Sequence, residues 1–145
     1  MVSKKNKKQN DPAYLREQGK RDAVKKSKRF LAFSFSKHIR GEGQSIEEWG
    51  KLELLGLLVL RLKNLGQYST IEVRQKGWIK EYHKVNFPPN SKFSEPKHVI
   101  NVTWAVLHIT PTSKEVVVGY IENDIFYIVF LDKDHEFWPS KMKNT

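Results

Sequence analysis

The hydrophobic pattern is strongest in the last third of the chain. Residues 102–109, 115–121 and 125–131 are runs of β-branched and aromatic side chains, separated by the polar connectors Thr110-Pro111-Thr112-Ser113-Lys114 and Glu122-Asn123-Asp124. This spacing predicts a three-stranded antiparallel meander. The run Ile125-Phe126-Tyr127-Ile128-Val129-Phe130-Leu131 is apolar at both parities, as expected for a central strand covered on both faces.

Earlier in the chain, Phe30-Leu31-Ala32-Phe33-Ser34-Phe35 alternates as a strand with one buried face does. Ser45-Ile46-Glu47-Glu48 has capping-box spacing and opens a helix predicted to run to about Leu65, with Gly66 as its C-terminal cap. Leu52, Leu55, Leu58, Leu62 and Leu65 share one face of that helix, and Leu54, Leu57, Val59 and Leu60 widen it. It is therefore expected to be long and central, lying across the sheet, with Gly56 allowing close approach to a strand. Ser69-Thr70-Ile71-Glu72 repeats the cap and predicts a short second helix ended by Gly77. Residues 78–87 read as a strand and residues 88–96, with three prolines, as a loop. The expected fold class is α+β: an antiparallel sheet with a C-terminal three-stranded meander, packed against one long central helix and a short second helix.

Charge changes this picture at one end only. The chain of 145 residues carries a formal net charge of +10. Residues 1–29 hold 11 Lys/Arg against 3 Asp/Glu, and the remainder holds 15 against 13. Residues 1–29 thus read as a basic, flexible tail, suited to sequence-independent attraction to phosphate, and residues 30–145 as a single α+β domain. The absence of cysteine removes disulfides, thiolate nucleophiles and Cys-ligated zinc. No apolar run follows the N-terminal lysines, and 52–60 is too short to span a bilayer, so a cytoplasmic protein without membrane contact is expected.

Glycine-rich phosphate loops, GxSxG elbows and HExxH are all absent. Candidate chemistry rests on His38, His83, His98, His108 and His135. At the exit of the central strand, Asp132 and His135 form a DxxH pair, in which the carboxylate would orient the imidazole as a general base; the alternative is a polar turn. His83 is a second candidate base. His83, His98, Asp132 and His135 offer metal donors, but the metal-free case is favoured and no cofactor is expected. His108 shares strand parity with Trp104 and Val106 and reads as a core or groove residue. Arg74, Lys76, Lys80 and Lys84 bracket Trp78 and Tyr82. That interleaving offers cations for phosphate and rings for base stacking, as a single-stranded nucleic acid requires; the competing reading is an ordinary amphipathic edge with Trp78 in the core.

The order of one strand, helices and a closing meander resembles the RelE/ParE toxin superfamily over about residues 30–139. The run Val118-Gly119-Tyr120-Ile121-Glu122-Asn123-Asp124-Ile125-Phe126 is similar to the strand pattern that ends those domains. The start at Phe33-Ser34-Phe35 and the run from Phe126 to His135 also resemble small uncharacterised proteins of phages and other mobile elements. The toxin resemblance implies an RNA-acting protein, a ribonuclease of RelE-like type that cleaves mRNA on the ribosome, or gyrase inhibition in the ParE branch, with RNA or the ribosome and a cognate antitoxin as partners. It departs from the ribonuclease branch in having only Lys114 and Lys133 as cations on the meander. The alternative is a non-catalytic nucleic-acid-binding or protein-interaction module of a mobile element.

Overall fold

The apolar runs of the last third have the length and composition to pair, and they do. The computed structural model describes residues 11–27 and 29–139. Among these residues nine elements follow in order: α1 Pro12–Ser27, β1 Ala32–Ser34, α2 Ile46–Lys51, α3 Leu55–Leu65, α4 Thr70–Lys76, β2 Lys80–Glu81, β3 Ala105–His108, β4 Val116–Glu122 and β5 Ile125–Asp132. The strands form one sheet in the order β1-β5-β4-β3-β2. The meander β3-β4-β5 is antiparallel as expected, but β1 joins β5 in parallel, so the sheet is mixed rather than antiparallel. Asn123 and Asp124 close the β4–β5 hairpin with φ of 52° and 63°, the two left-handed positions of a type I′ turn.

The expected long helix is two. Both capping boxes form: Ser45 with Glu48, and Ser69 with Glu72. The first helix nevertheless ends at Lys51, and Glu53 takes φ 60° before α3 begins at Leu55. The phase of the buried residues explains the break. Trp49, Leu58 and Leu65 are all fully buried. At about 100° per residue, nine residues would place Trp49 and Leu58 on opposite sides of one straight helix. Breaking it lets both face the sheet. As a consequence Leu52, expected on the buried face, and Leu57, Val59 and Leu60, expected to widen it, are exposed, at 48%, 42%, 61% and 60%. Gly56 is exposed too, and a Cβ there would meet nothing within 4 Å, so it makes no close approach to a strand. The C-terminal glycines differ. Gly77 takes the left-handed conformation at φ 69°, whereas Gly66 ends α3 at φ −67°.

Each face of the sheet has its own core. On one, Leu31, Trp49, Leu58, Leu65 and Val73 of the helical side meet Leu107, Val117, Phe126, Ile128 and Leu131. On the other, Trp104, Val106, Val118, Val129 and Phe130 are covered by no described helix. They are covered by Phe87, Phe93, Val99 and Val102 from the irregular segment 82–104, and by Phe137 and Trp138. The expected strand over 78–87 shrinks to Lys80–Glu81, because the chain beyond leaves the sheet edge to form this cover. Aromatic contacts hold it: Trp104 lies 5.7 Å from Phe87 and 5.2 Å from Phe137, centroid to centroid. Central β5 is thus packed on both sides.

A bulge sets which side chains of β5 face which core. Val118 pairs with Phe130, but Gly119 pairs with Ile128, leaving Val129 as an extra residue. Val129 and Phe130 therefore both face the loop-covered core, while Ile128 and Leu131 face the helices. Asp132 is carried to the loop-covered side.

The basic N-terminal segment is helical from Pro12 to Ser27, with exposed side chains from Asp11 to Arg21. Asp11 accepts the Ala13 amide at 2.8 Å, and Pro12 occupies the first helical position, where no amide is needed. The lysines of residues 1–10, and residues 140–145 at the end of the expected domain, lie outside the described residues. No described helix is long and apolar enough to cross a membrane.

Candidate nucleic-acid interface

Strand β2 is an edge, and its register places the basic residues. Lys80 pairs with Val106 and Glu81 with Ala105, while the Tyr82 amide donates to the Trp104 carbonyl at 2.9 Å. Lys80 and Tyr82 therefore stand on the loop-covered face beside Val106 and Trp104. The Lys80 ammonium lies 5.3 Å from the centre of the Tyr82 ring. Tyr82 in turn stacks on Trp138 at 4.1 Å, with ring planes 8° apart. Burial raises the Tyr82 phenol above its ordinary pKa.

On the helical side, Trp78 packs edge-on against Tyr68 at 5.0 Å. It carries the Lys76 ammonium at 5.2 Å and the Arg61 guanidinium at 5.8 Å from its ring centre. Lys76, Lys80 and Lys84 are exposed, and none pairs with a carboxylate among the described residues. Arg74 does. Its Nε and Nη2 donate to the two Glu81 carboxylate oxygens at 2.5 and 3.2 Å, which ties α4 to β2 and raises the Arg74 pKa. Arg74 is thus an internal partner of Glu81, unlike the three free lysines. Arg74 also lines a shallow depression of about 350 Å³ with Gly77, Ile79, Lys80, Glu81 and His83.

The catalytic candidates do not converge. His83 is exposed at the Tyr82 end of β2, beyond Trp104. The His135 ring meets His108, with centroids 5.4 Å apart, at the other end of β3. Four residue steps of extended chain separate Trp104 from His108, roughly 13 Å. His98 bonds the Lys37 carbonyl, and His38 lies against Phe35 with its pKa lowered by burial. Among the described residues, no three His, Asp or Glu side chains are grouped so as to hold a metal.

The DxxH pair is a turn, and the orienting role expected for Asp132 is not made. Asp132 is fully buried, and its Oδ1 and Oδ2 accept the amides of Glu136 and Phe137 at 2.9 and 2.8 Å. Burial pushes the carboxyl above its ordinary value, and the two amides offset this only in part. Neither oxygen bonds the imidazole. The Asp132 cap instead shapes a turn in which His135 takes φ 56°, its Nδ1 buried without a partner. Asp134 beside it accepts Lys133 at 2.8 Å and pairs with Lys114 at 3.4 Å.

Two partners escape a reading of the sequence. His108 stands in the same sheet row as Val116 and Asp132, which brings it to His135. That alignment depends on the bulge, for which Gly119 inside a strand is the sequence signal. Trp138, which helps cover the loop-side core, also stacks on Tyr82 at the sheet edge, and no local pattern announces that pairing. This chain matches no protein-family model, no curated protein and no solved structure.

Proposed function

We propose that this protein binds single-stranded nucleic acid, RNA in the first instance, along the edge formed by α4 and β2. One observation carries the reading: three exposed lysines, unpaired among the described residues, are interleaved with Trp78 and Tyr82, with the Lys76 and Lys80 ammonium groups over the rings. Free cations beside aromatic side chains are what a flexible phosphate chain with unstacked bases recognises. Arg74 contributes through Glu81 by holding the edge in place. In the toxin-like form of this reading, suggested by the order of strand, helices and closing meander, the strand bound is messenger RNA and a cognate protein partner controls it.

A second reading, ribonuclease action, is favoured by the His108–His135 pair. The His108 Nδ1 lies 3.1 Å from the Ser113 carbonyl oxygen. Since a carbonyl only accepts, Nδ1 carries the proton and Nε2 is left with its lone pair as a base. The partner of His135 in such chemistry is His108 rather than Asp132 or His83.

Fluorescence anisotropy with a labelled single-stranded RNA, measured over a salt series, tests the first reading. Replacing Lys76, Lys80 and Lys84 together by alanine should lower the slope of log affinity against log salt by about 2, at roughly 0.7 per phosphate contact. An unchanged slope moves the interface elsewhere on the chain. Cleavage of the same RNA, lost in His108→Ala, is the mark of the second reading; intact RNA at saturating protein removes it.

A further inference from the structure

We propose that the cavity beside Trp138 is a subsite for one unpaired nucleobase, which stacks onto the end of the Lys80–Tyr82–Trp138 column. The inference rests on the nucleic-acid reading above and adds to it what the edge does with a base. The cavity holds about 230 Å³ and is lined by Val85, Pro88, Pro89, Asn90, Trp138 and Pro139. Sites for drug-sized ligands run from roughly 300 to 1,000 Å³, so this one suits a single ring system rather than a larger molecule.

Its lining matches a base in chemistry. Five of the six residues offer apolar surface, and none carries a charge. Asn90 is the one polar side chain, with an amide that both donates and accepts and so can bond the edge of a base. Trp138 contributes an indole already held flat by Tyr82, at 4.1 Å and 8°. Tyr82 is not among the residues that line the cavity, so its stack leaves part of Trp138 to border it. An indole fixed in this way has little freedom left to lose when a second ring stacks on it.

The surroundings favour a nucleotide over other flat or apolar ligands. Lys80 stands over the far end of the column at 5.3 Å from the Tyr82 ring, and exposed Lys84 immediately precedes Val85 in the wall. A base in the cavity would therefore have its phosphates beside two lysines that no described carboxylate neutralises. A proline-rich peptide would use the apolar surface but has no call on those charges.

The test uses the full chain and two labelled probes of equal length: a single-stranded oligoribonucleotide, and the same backbone with every base removed. The wild type should prefer the probe with bases. Trp138→Ala should weaken that probe by roughly 5- to 150-fold, the usual range for losing one stacked base, and leave the abasic probe unchanged. Trp138→Phe, which keeps a ring against Tyr82, should recover part of the loss and controls for damage to the fold. If Trp138→Ala binds both probes as the wild type does while the lysine variant is weakened, the subsite is refuted and the lysine edge stands. If the wild type binds neither probe, the nucleic-acid reading falls with it. A proline-rich peptide that shifts the Trp138 indole resonance, when the oligoribonucleotide does not, overturns the base assignment.

Discussion

Asp132→Ala should cost this protein roughly 3 kcal/mol or more of stability, seen as a fall of about 10 °C in the thermal midpoint. The carboxylate is wholly buried and accepts two backbone amides, those of Glu136 and Phe137. Each buried amide left without a partner costs about 1–3 kcal/mol. Phe137, whose amide is one of them, is central to the loop-side core. Asp132→Asn keeps one acceptor but turns an NH₂ towards an amide, so it should lose less than alanine and more than a surface change. The pH dependence has a definite sign. The folded-state pKa of Asp132 is raised from an ordinary 3.8. Its contribution is therefore greatest with the carboxyl protonated, below 3.8, and falls as pH rises through the raised value. Urea titrations across that window should show this downward slope in the wild type and not in Asp132→Asn. A melt of Asp132→Ala matching the wild type would mean that the turn is held by something else.

Gly119→Val is expected to do as much harm or more, against what strand propensity says. Valine is among the best strand formers and glycine among the worst, so propensity alone forecasts a gain of up to about 1 kcal/mol. The structure reverses the sign. A Cβ at position 119 would lie 1.8 Å from the Tyr127 carbonyl oxygen and 2.8 Å from its carbon. Both are backbone atoms of the central strand at the bulge, and neither can swing aside as a side chain would. Relieving the clash means moving β5 or erasing the bulge, which would turn Phe130 and Asp132 to the helical face. A loss of about 3 kcal/mol or more, or failure to fold, is expected in a thermal melt. Gly56→Ala supplies the contrast. That glycine is an exposed position of α3 with open space where a Cβ would stand, and alanine should gain up to about 1 kcal/mol. Equal behaviour of the two variants would refute the bulge argument.

Local signals carried much of the fold. Both capping boxes, the left-handed Gly77 and the three strands of the meander are set by interactions between near neighbours, and the structure places them within a few residues of their expected positions. The error in the long helix was also local in origin. Phasing the leucines from Leu52 overlooked Trp49, whose helical phase is incompatible with Leu58 and Leu65 in one straight segment. Among site residues, Lys76, Trp78, Lys80 and Tyr82 lie within seven positions of one another in sequence, so their gathering at one edge follows from proximity along the chain.

The amino-acid sequence by itself determined that the last three apolar runs form a meander, where the two capped helices start and where the basic residues cluster, because propensity, capping and hydrophobic period act over a handful of residues. Tertiary structure decided what faces what. β1 joins β5 in parallel across some ninety positions of chain, and segment 82–104 leaves the sheet edge to cover a face that no described helix reaches. The single extra residue at Val129 changes the parity of all that follows it in β5. In a regular hairpin closed at Asn123-Asp124, Val116 would face Leu131; the bulge sets it opposite Asp132 instead. That shift buries the Asp132 carboxylate under the Phe137 turn and brings His135 to His108. Each of these outcomes rests on contacts between residues distant in sequence, whose energies depend on the packed shape of the whole and are invisible in any local window.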